Sequence, residues 1–222
     1  MVSPEAGRPL RRDAQRNRQR VIEAAREVFA TRGLHATLDD VAHHAGVGVG
    51  TVYRRFPTKE ALVAVILEDR LEEMVALAES ALAAPTGWDG LTMFLGRATE
   101  LHASDRGLRD VALSAGFGTE HHARKGERMA PLVRRLIERA QAEGSLRADV
   151  NAEDVPLMLL MISEVAQHCR DVRPDIFARY RRLMIDGLRA RPVAGDLGRP
   201  LTPGDVTALS RDWLPRSLTN LD

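Results

Sequence analysis

Three side chains in the first quarter of the sequence are of types that bind phosphate groups: Thr37, Tyr53 and Lys59. Hydroxyl groups donate hydrogen bonds to phosphate oxygens, and a lysine ammonium group adds positive charge. Thr37 and Lys59 stand where helices are predicted to begin, and the free N–H groups of a helix N-terminus also favour an anion. Arg54, beside Tyr53, is of the type that reads guanine through two parallel hydrogen bonds. The combination indicates binding to the DNA backbone together with readout of a base.

The elements that must position these residues are short helices joined by tight turns. A first helix is predicted from about Ala14, with its apolar residues on one face, and Gly33 is expected to end it. Thr37 and Asp40 form an acidic version of the capping box, which opens a second helix that stops near Gly46. This pattern of two small helices around a glycine turn is typical of a helix-turn-helix motif.

A third helix is predicted over residues 49–56, because the proline that follows disfavours helical backbone in the residue before it. Val47, Val52 and Phe56 are spaced to face inward and to pack this helix on the first two. Tyr53 then faces outward, where its phenol can reach a phosphate group. Partial burial of Tyr53 against its neighbours is the alternative for this residue taken alone.

The outward residues at the start of the third helix are small, and they are Gly48, Val49, Gly50 and Thr51. Gly48 is a weaker N-cap than serine, and Gly50 inside a helix costs about 1 kcal/mol relative to alanine. A glycine kept at this position suggests a close approach of the helix backbone to DNA. The valine and the threonine can contact a thymine methyl group, but neither makes two hydrogen bonds to one base. Readout of guanine must therefore come from Arg54, Arg55 or an N-terminal arginine.

The rest of the chain is predicted to be helical as well, so the fold class is all-α. Thr58 caps a long fourth helix that reaches about Pro85, and roughly 25 residues of helix span about 37 Å. Further helices are predicted near residues 88–103, 106–115, 119–143, 151–171 and 174–190, with a short one at 203–214 after a Pro/Gly-rich linker. Runs of strand-like alternation are absent from the sequence.

Charge and composition separate a basic N-terminal part from a mildly acidic remainder. Residues 1–59 hold 11 Lys and Arg against 6 Asp and Glu, whereas residues 60–222 hold 21 against 25. The single cysteine, Cys169, excludes an intramolecular disulfide and a cysteine-rich metal site. The sequence has neither a membrane span nor a secretory signal, which predicts a cytoplasmic protein without membrane contact. We expect no cofactor, no metal and no catalytic residue.

Residues 14–66 resemble the TetR family of bacterial transcriptional regulators. The matching residues are Ala25, Phe29, Gly33, Thr37, Val41-Ala42, the turn Ala45-Gly46-Val47, Thr51-Val52-Tyr53, Phe56, Thr58-Lys59-Glu60 and Leu62. Beyond residue 66 the resemblance rests on the number and length of the helices. It implies a helix-turn-helix domain, joined by the long fourth helix to a helical ligand-binding and dimerisation domain. The implied domain boundaries are a flexible basic arm at 1–13, the DNA-binding domain at 14–57, the regulatory domain at 58–191 and a C-terminal linker with a short helix at 192–222.

The implied function is that of a homodimeric repressor, which an unknown small-molecule effector releases from a palindromic double-stranded DNA operator. The DNA-binding residues would be Thr37, Gly48, Val49, Gly50, Thr51, Tyr53, Arg54 and Lys59. The dimer would form through the last two long helices, since residues 155–169 are apolar on more faces than one core requires. Residues that could line an effector pocket, although each also suits core packing, are Trp88, Met93, Phe94, Leu113, Phe117, Met129, Met158, Met161 and Ile162.

Two other classes of function stay open on the sequence alone. The first is a regulator without a small-molecule effector, either an activator or a protein controlled by a protein partner. The second is an enzyme that uses His121, His122 or Cys169. It is disfavoured because the sequence shows no glycine-rich phosphate loop, serine elbow or metal-ligand spacing.

Overall fold

The computed structural model describes residues 7–104, 118–169, 173, 175–192 and 195–212. Within these ranges the chain forms helices, one 3-10 turn and one isolated bridge, and it has no strand, so the all-α prediction is confirmed. The helices are α1 (Gly7–Arg32), α2 (Leu38–Ala45), α3 (Val49–Arg55), α4 (Lys59–Leu82), α5 (Gly87–Ser104), α6 (Gly118–Ala142), α7 (Asp154–Cys169), α8 (Asp175–Gly187) and α9 (Pro203–Asp212). The predicted helix at 106–115 lies outside the described residues.

Helix α1 begins at Gly7, well before the predicted start near Ala14. Pro9 falls in its first turn, where a missing N–H group breaks no helical hydrogen bond. The arginines that follow are good helix formers, so nothing in the local sequence opposes an early start. The described part of the predicted flexible arm, residues 7–13, is therefore helical backbone. Gly33 ends α1 with a φ of 53°, as predicted.

The described residues up to Asp69, here called the head, form one compact unit, and those from Arg70 onward, the body, form another. The core of the head contains apolar side chains of α1, α2 and α3 and of the first turns of α4, including Leu62 and Ile66. The head thus extends past the boundary expected at residue 57. The physical reason is that the start of α4 buries its own apolar face in the same core.

Helix α3 is held in the head by the residues that the sequence analysis assigned to its inner face. Val52 is fully buried, Phe56 is 4% exposed, and Val47 is partly buried against the same core. Gly46 supplies the left-handed residue of the turn between α2 and α3, with a φ of 62°. These contacts fix the orientation of α3 and therefore of its outer face.

The body has its own core, formed by side chains of α4, α5, α6 and α7. At the end of α4, the guanidinium of Arg139 donates hydrogen bonds to the backbone oxygens of Leu82 and Pro85, at 2.9 and 2.8 Å. Gly90 allows α5 to pack closely here, because a Cβ atom at that position would lie 2.3 Å from the backbone oxygen of Ala81. The end of α4 and helices α5 and α6 are thereby locked together.

Candidate nucleic-acid interface

The outer face of α3 presents most of the residues predicted to contact bases. Val49 is 43% exposed and Tyr53 is 44% exposed, although both are large side chains. Gly50 and Arg54 are also exposed, and Thr51 is half-buried. A short helix that buries Val52 and exposes its opposite face has the form of a recognition helix for the DNA major groove.

Arg54 is held in place by its own helix. Its Nη2 donates a hydrogen bond to Oγ1 of Thr51, at 3.3 Å. The guanidinium keeps its other N–H groups for an external acceptor, because one bond uses a single donor. Thr51 therefore orients the side chain that has the best chemistry for reading guanine.

The two glycines at the start of α3 have different roles in the free protein. Gly48 is the N-cap, in an extended conformation, and no side chain caps the helix. Gly50 has nothing within 4 Å of the position that a Cβ atom would occupy. Packing inside the head therefore does not require glycine at position 50.

Thr37 caps α2 in the predicted capping box. Its Oγ1 accepts a hydrogen bond from the backbone N–H of Asp40 at 3.1 Å and donates one to Oδ2 of Asp40 at 2.8 Å. Hydrogen bonds from the backbone and side chain of Thr37, together with the nearby Arg32, lower the pKa of Asp40. The α2 N-terminus thus already holds a carboxylate, so a phosphate would have to compete with it or approach beside it.

Tyr53 lies beside Asp39, an acidic neighbour that the sequence analysis did not pair with it. The negative charge of Asp39 is the main cause that raises the pKa of Tyr53, and partial burial and a hydrogen bond between the two side chains add to it. These effects favour the protonated phenol, with its hydroxyl group beside the Asp39 carboxylate. A phosphate contact would require the hydroxyl group to turn from the carboxylate to the phosphate oxygen.

Lys59 is the first residue of α4, as predicted, and it is half-buried. Its Nζ lies 5.6 Å from the centroid of the Phe29 ring, within the range of a cation–π interaction. Burial lowers the pKa of Lys59. The contact with the Phe29 ring holds the ammonium near the α4 N-terminus, where its charge can add to the positive potential of the helix end.

Arg20 is a component of the turn that the sequence analysis missed. Its Nη2 donates a hydrogen bond to the backbone oxygen of Ala45, the last residue of α2, at 2.7 Å. The same nitrogen lies 3.5 Å from the position of a Cβ atom on Gly46. An arginine that reaches a backbone oxygen 25 residues away leaves no signal in local sequence patterns.

The residues predicted for an effector pocket are only partly brought together in the body. Phe94, Met129 and Met158 belong to the core of the body, and Trp88 packs against it. Ile162 is also buried, at 3% exposure. The remaining members are Met93 and Met161, which are 38% and 53% exposed, and Leu113 and Phe117, which lie outside the described residues.

Metal binding and membrane insertion are two further functions that a helical protein can have. In these ranges, no group of three or more His, Cys, Asp and Glu side chains is arranged to hold a metal ion. No helix there has the length and apolar character needed to cross a membrane. Cys169 is a free, half-buried thiol, and the side chains of His121 and His122 lie outside the described set.

Two family models match the chain, one in each part. Residues 21–66 match bacterial regulatory proteins of the TetR family, and residues 87–190 match the C-terminal domain of SbtR-like transcriptional regulators. The first match contains all of α2 and α3, and the second runs from α5 through α8. The first match therefore lies within the head, and the described residues of the second lie within the body.

Similar proteins with names or solved structures are regulators as well. The HTH-type transcriptional regulator UidR of Escherichia coli K12 is 25% identical over 207 residues, covering 81% of this chain and 96% of UidR. The TetR transcriptional regulator SCO0520 from Streptomyces coelicolor, whose crystal structure is known, is 29% identical in sequence. The two structures match with a TM-score of 0.60, over 78% of this chain and 98% of SCO0520. A TetR transcription regulatory protein from Mycobacterium vanbaalenii is 36% identical in sequence. Its crystal structure matches with a TM-score of 0.60, over 82% of this chain and 99% of the Mycobacterium protein. With its helix-turn-helix head and a similarity that spans nearly the whole of that relative, the chain belongs to the TetR family of DNA-binding transcriptional regulators.

Proposed function

We propose that the protein is a homodimeric repressor that binds a palindromic operator through α3 and is released by a small-molecule effector. The observation that supports this most directly is the outer face of α3, where Val49, Tyr53 and Arg54 are exposed on a helix fixed by Val52. A regulator of this kind works in the cytoplasm, where bacterial DNA lies.

The proposed readout of the operator follows from the side chains of α3. Arg54 donates two hydrogen bonds to guanine in the major groove, and Val49 contacts a thymine methyl group. The two residues are five positions apart, which is about 7.5 Å along a helix and about two base-pair steps along DNA. Tyr53, Lys59 and the α2 N-terminus with Thr37 contact phosphates and set the register of α3.

The proposed dimer uses α7 and α8, the last two long helices of the regulatory body. Met161 on α7 and Tyr180 and Leu183 on α8 are 53%, 48% and 63% exposed, and no residue of α8 is fully buried. Apolar side chains in such positions are typical of a surface that a second subunit covers. A twofold dimer would place two heads about one DNA turn apart, roughly 34–36 Å.

The proposed effector acts through the body. Its pocket would include Trp88, Phe94, Met129, Met158 and Ile162, since flexible methionines and aromatic rings suit adaptable apolar sites. An effector that favours a dimer with a different separation of the heads by a few kcal/mol is sufficient to change operator occupancy.

The deciding experiment is selection of bound sequences from random double-stranded DNA by the full chain, repeated with a panel of apolar small molecules. We expect a palindrome to be enriched, and enrichment to be lost with one class of molecule. If no palindrome is enriched, the proposed operator binding is wrong. If the palindrome is enriched equally in the presence of every small molecule tested, a regulator controlled by a protein partner becomes the better explanation.

Replacing Lys59 with alanine should weaken binding to all DNA sequences by a similar factor. The ammonium contributes charge rather than base contacts, so the slope of log affinity against log salt should fall by about one. Titrations at several salt concentrations with operator and random DNA measure both effects. Lys59→Arg, which keeps the charge, is the control. A loss confined to the operator would show instead that Lys59 affects the position of α3.

Replacing Gly50 with alanine should stabilise the free protein and weaken operator binding. The added methyl group meets open space in the free head and improves helix propensity by up to about 1 kcal/mol. On DNA it would occupy the gap between the α3 backbone and the bases. Gly126→Ala, on an exposed position of α6 that is also open, is the matched control for stability. Unchanged operator affinity in the Gly50 variant would show that the α3 backbone does not approach DNA closely.

A further inference from the structure

The C-terminal segment beyond α8 is hydrogen-bonded to the body at three positions. The sequence predicted a linker here, but residues 195–201 form hydrogen bonds with the connection between α6 and α7. The segment also lies beyond residue 190, where the match to the regulatory domain of the family ends. It is therefore an addition to the matched domain, with contacts of its own.

Three alternate residues of the α6–α7 connection each bind one position of this segment. Nη2 of Arg147 donates to the backbone oxygen of Gly195 at 2.5 Å. Oδ2 of Asp149 accepts from the backbone N–H of Leu197 at 3.3 Å. Nδ2 of Asn151 donates to the backbone oxygen of Leu201 at 2.9 Å.

Arg147 and Asp149 also bind each other, which prepares both for these contacts. The guanidinium donates two hydrogen bonds to the carboxylate, at 2.6 and 2.7 Å. The bond from Arg147 is the main cause that lowers the pKa of Asp149 to about 2, and the N–H of Leu197 contributes. The pair is therefore a charge-assisted anchor for the segment, with two parallel contacts between the guanidinium and the carboxylate.

Asn151 connects the segment to the start of α7. Its Oδ1 accepts hydrogen bonds from the backbone N–H groups of Glu153 and Asp154, at 3.0 and 3.2 Å, while its Nδ2 binds the oxygen of Leu201. Asp154 returns a bond, since its Oδ2 accepts from the N–H of Asn151 at 2.8 Å. One side chain thus caps the turn into α7 and holds the C-terminal segment.

We propose that residues 195–212 form a strap that braces the α6–α7 connection and fixes the start of α7. The far end of the strap is a stable element, because Thr202 and Asp205 cap α9 in a reciprocal box and Pro203 occupies its first turn. Since α7 belongs to the proposed dimer interface, the strap also strengthens the dimer. This last consequence rests on the proposed function.

The test is hydrogen exchange, followed by mass spectrometry, on full-length variants. Asn151→Ser keeps a capping oxygen for α7 but removes the donor to Leu201. Leu197→Pro changes the strap itself: it removes the backbone N–H that donates to Asp149 and leaves the α7 cap at Asn151 unchanged. Each variant loses one hydrogen bond, so exchange in residues 195–201 and in residues 146–157 should accelerate by about threefold to tenfold. Asp154→Ala is the control: it weakens the cap, so exchange should accelerate in residues 146–157 but stay at the wild-type rate in residues 195–201.

The proposal is overturned if either variant frees residues 195–201 while exchange in residues 146–157 stays at the wild-type rate. It is also overturned if neither region changes, since the strap contacts would then carry no stability. Sedimentation equilibrium on the same variants tests the consequence for the dimer. The dissociation constant of the dimer should be larger for the variants than for the wild-type protein. A wild-type protein that is monomeric would refute the proposed dimer, whereas the exchange result would still decide the strap.

Discussion

Replacing Leu183 with glutamate is expected to convert the dimer to monomers and to weaken operator binding by about a hundredfold or more. Leu183 is the most exposed large apolar residue of α8, at 63%, and Tyr180 is one helical turn away. A glutamate in the centre of an apolar interface would lose its water without gaining a partner. A palindrome binds two linked heads with an effective concentration that a monomer lacks, which is worth about 10²–10⁴ in affinity.

Sedimentation velocity and operator titration of the same preparation measure the two effects together. Leu209→Glu is the control, because Leu209 is a large exposed residue on α9, outside the proposed interface and outside residues 195–201, whose hydrogen bonds hold the strap on the body. Circular dichroism should show wild-type helix content, since Leu183 contributes little to the core of its own chain. If the Leu183 variant remains dimeric, α8 does not form the interface.

The parts of the fold that the sequence predicted correctly depend on residues close together in the chain. Thr37 and Asp40 are three positions apart, so their capping box has a local signature, and it is present. The same holds for Gly33 and Gly46, whose positive φ angles end α1 and α2. The inner face of α3 could be predicted because helical spacing separates Val52 from Tyr53.

The parts that the sequence did not predict depend on contacts between distant residues. Arg20 binds a backbone oxygen of Ala45, and any residue type supplies such an acceptor. The strap is recognised in the same way, through backbone atoms of Gly195, Leu197 and Leu201, so its composition resembled that of a linker. Backbone groups carry no sequence signal.

The candidate pocket shows a different limit of sequence reasoning. Helix α7 is apolar on several faces, so residue type alone does not say which face enters the core. Met158 is buried in the core of the body, whereas Met161, three positions later, is 53% exposed. Three residues turn a helix by about 300°, which leaves the two side chains about 60° apart. That angle is enough to separate a core position from a surface position at the edge of an apolar face.

The acidic neighbours of the phosphate-binding candidates matter for how the head distinguishes DNA sequences. Oγ1 of Thr37 donates a hydrogen bond to Asp40, and Tyr53 lies beside Asp39, whose charge raises the pKa of the phenol. We propose that these carboxylates repel phosphates that approach out of register and so reduce non-specific binding. We therefore expect selectivity for bases to depend on the exposed arginines of α3, with Arg54, which Thr51 holds in place, as the first candidate.

Replacing Arg54 with alanine should therefore relax sequence preference at one base pair in each half of the operator. A bidentate contact to guanine is worth about 1–3 kcal/mol of discrimination, so preference for that base should fall by roughly 5-fold to 100-fold. Binding to random DNA should change little. Selection from random DNA, read out as a base-frequency matrix, identifies the position that loses its preference.

Arg55→Ala is the matched control, since Arg55 is the adjacent exposed arginine of the same helix. If Arg55 contacts only phosphate, its loss should weaken all sequences alike and lower the salt slope by about one. The two variants then differ in kind, one in specificity and the other in overall affinity. If Arg54→Ala gives the uniform result instead, Arg54 is a phosphate contact. Arg55 and the arginines of α1 would then be the next candidates for base readout.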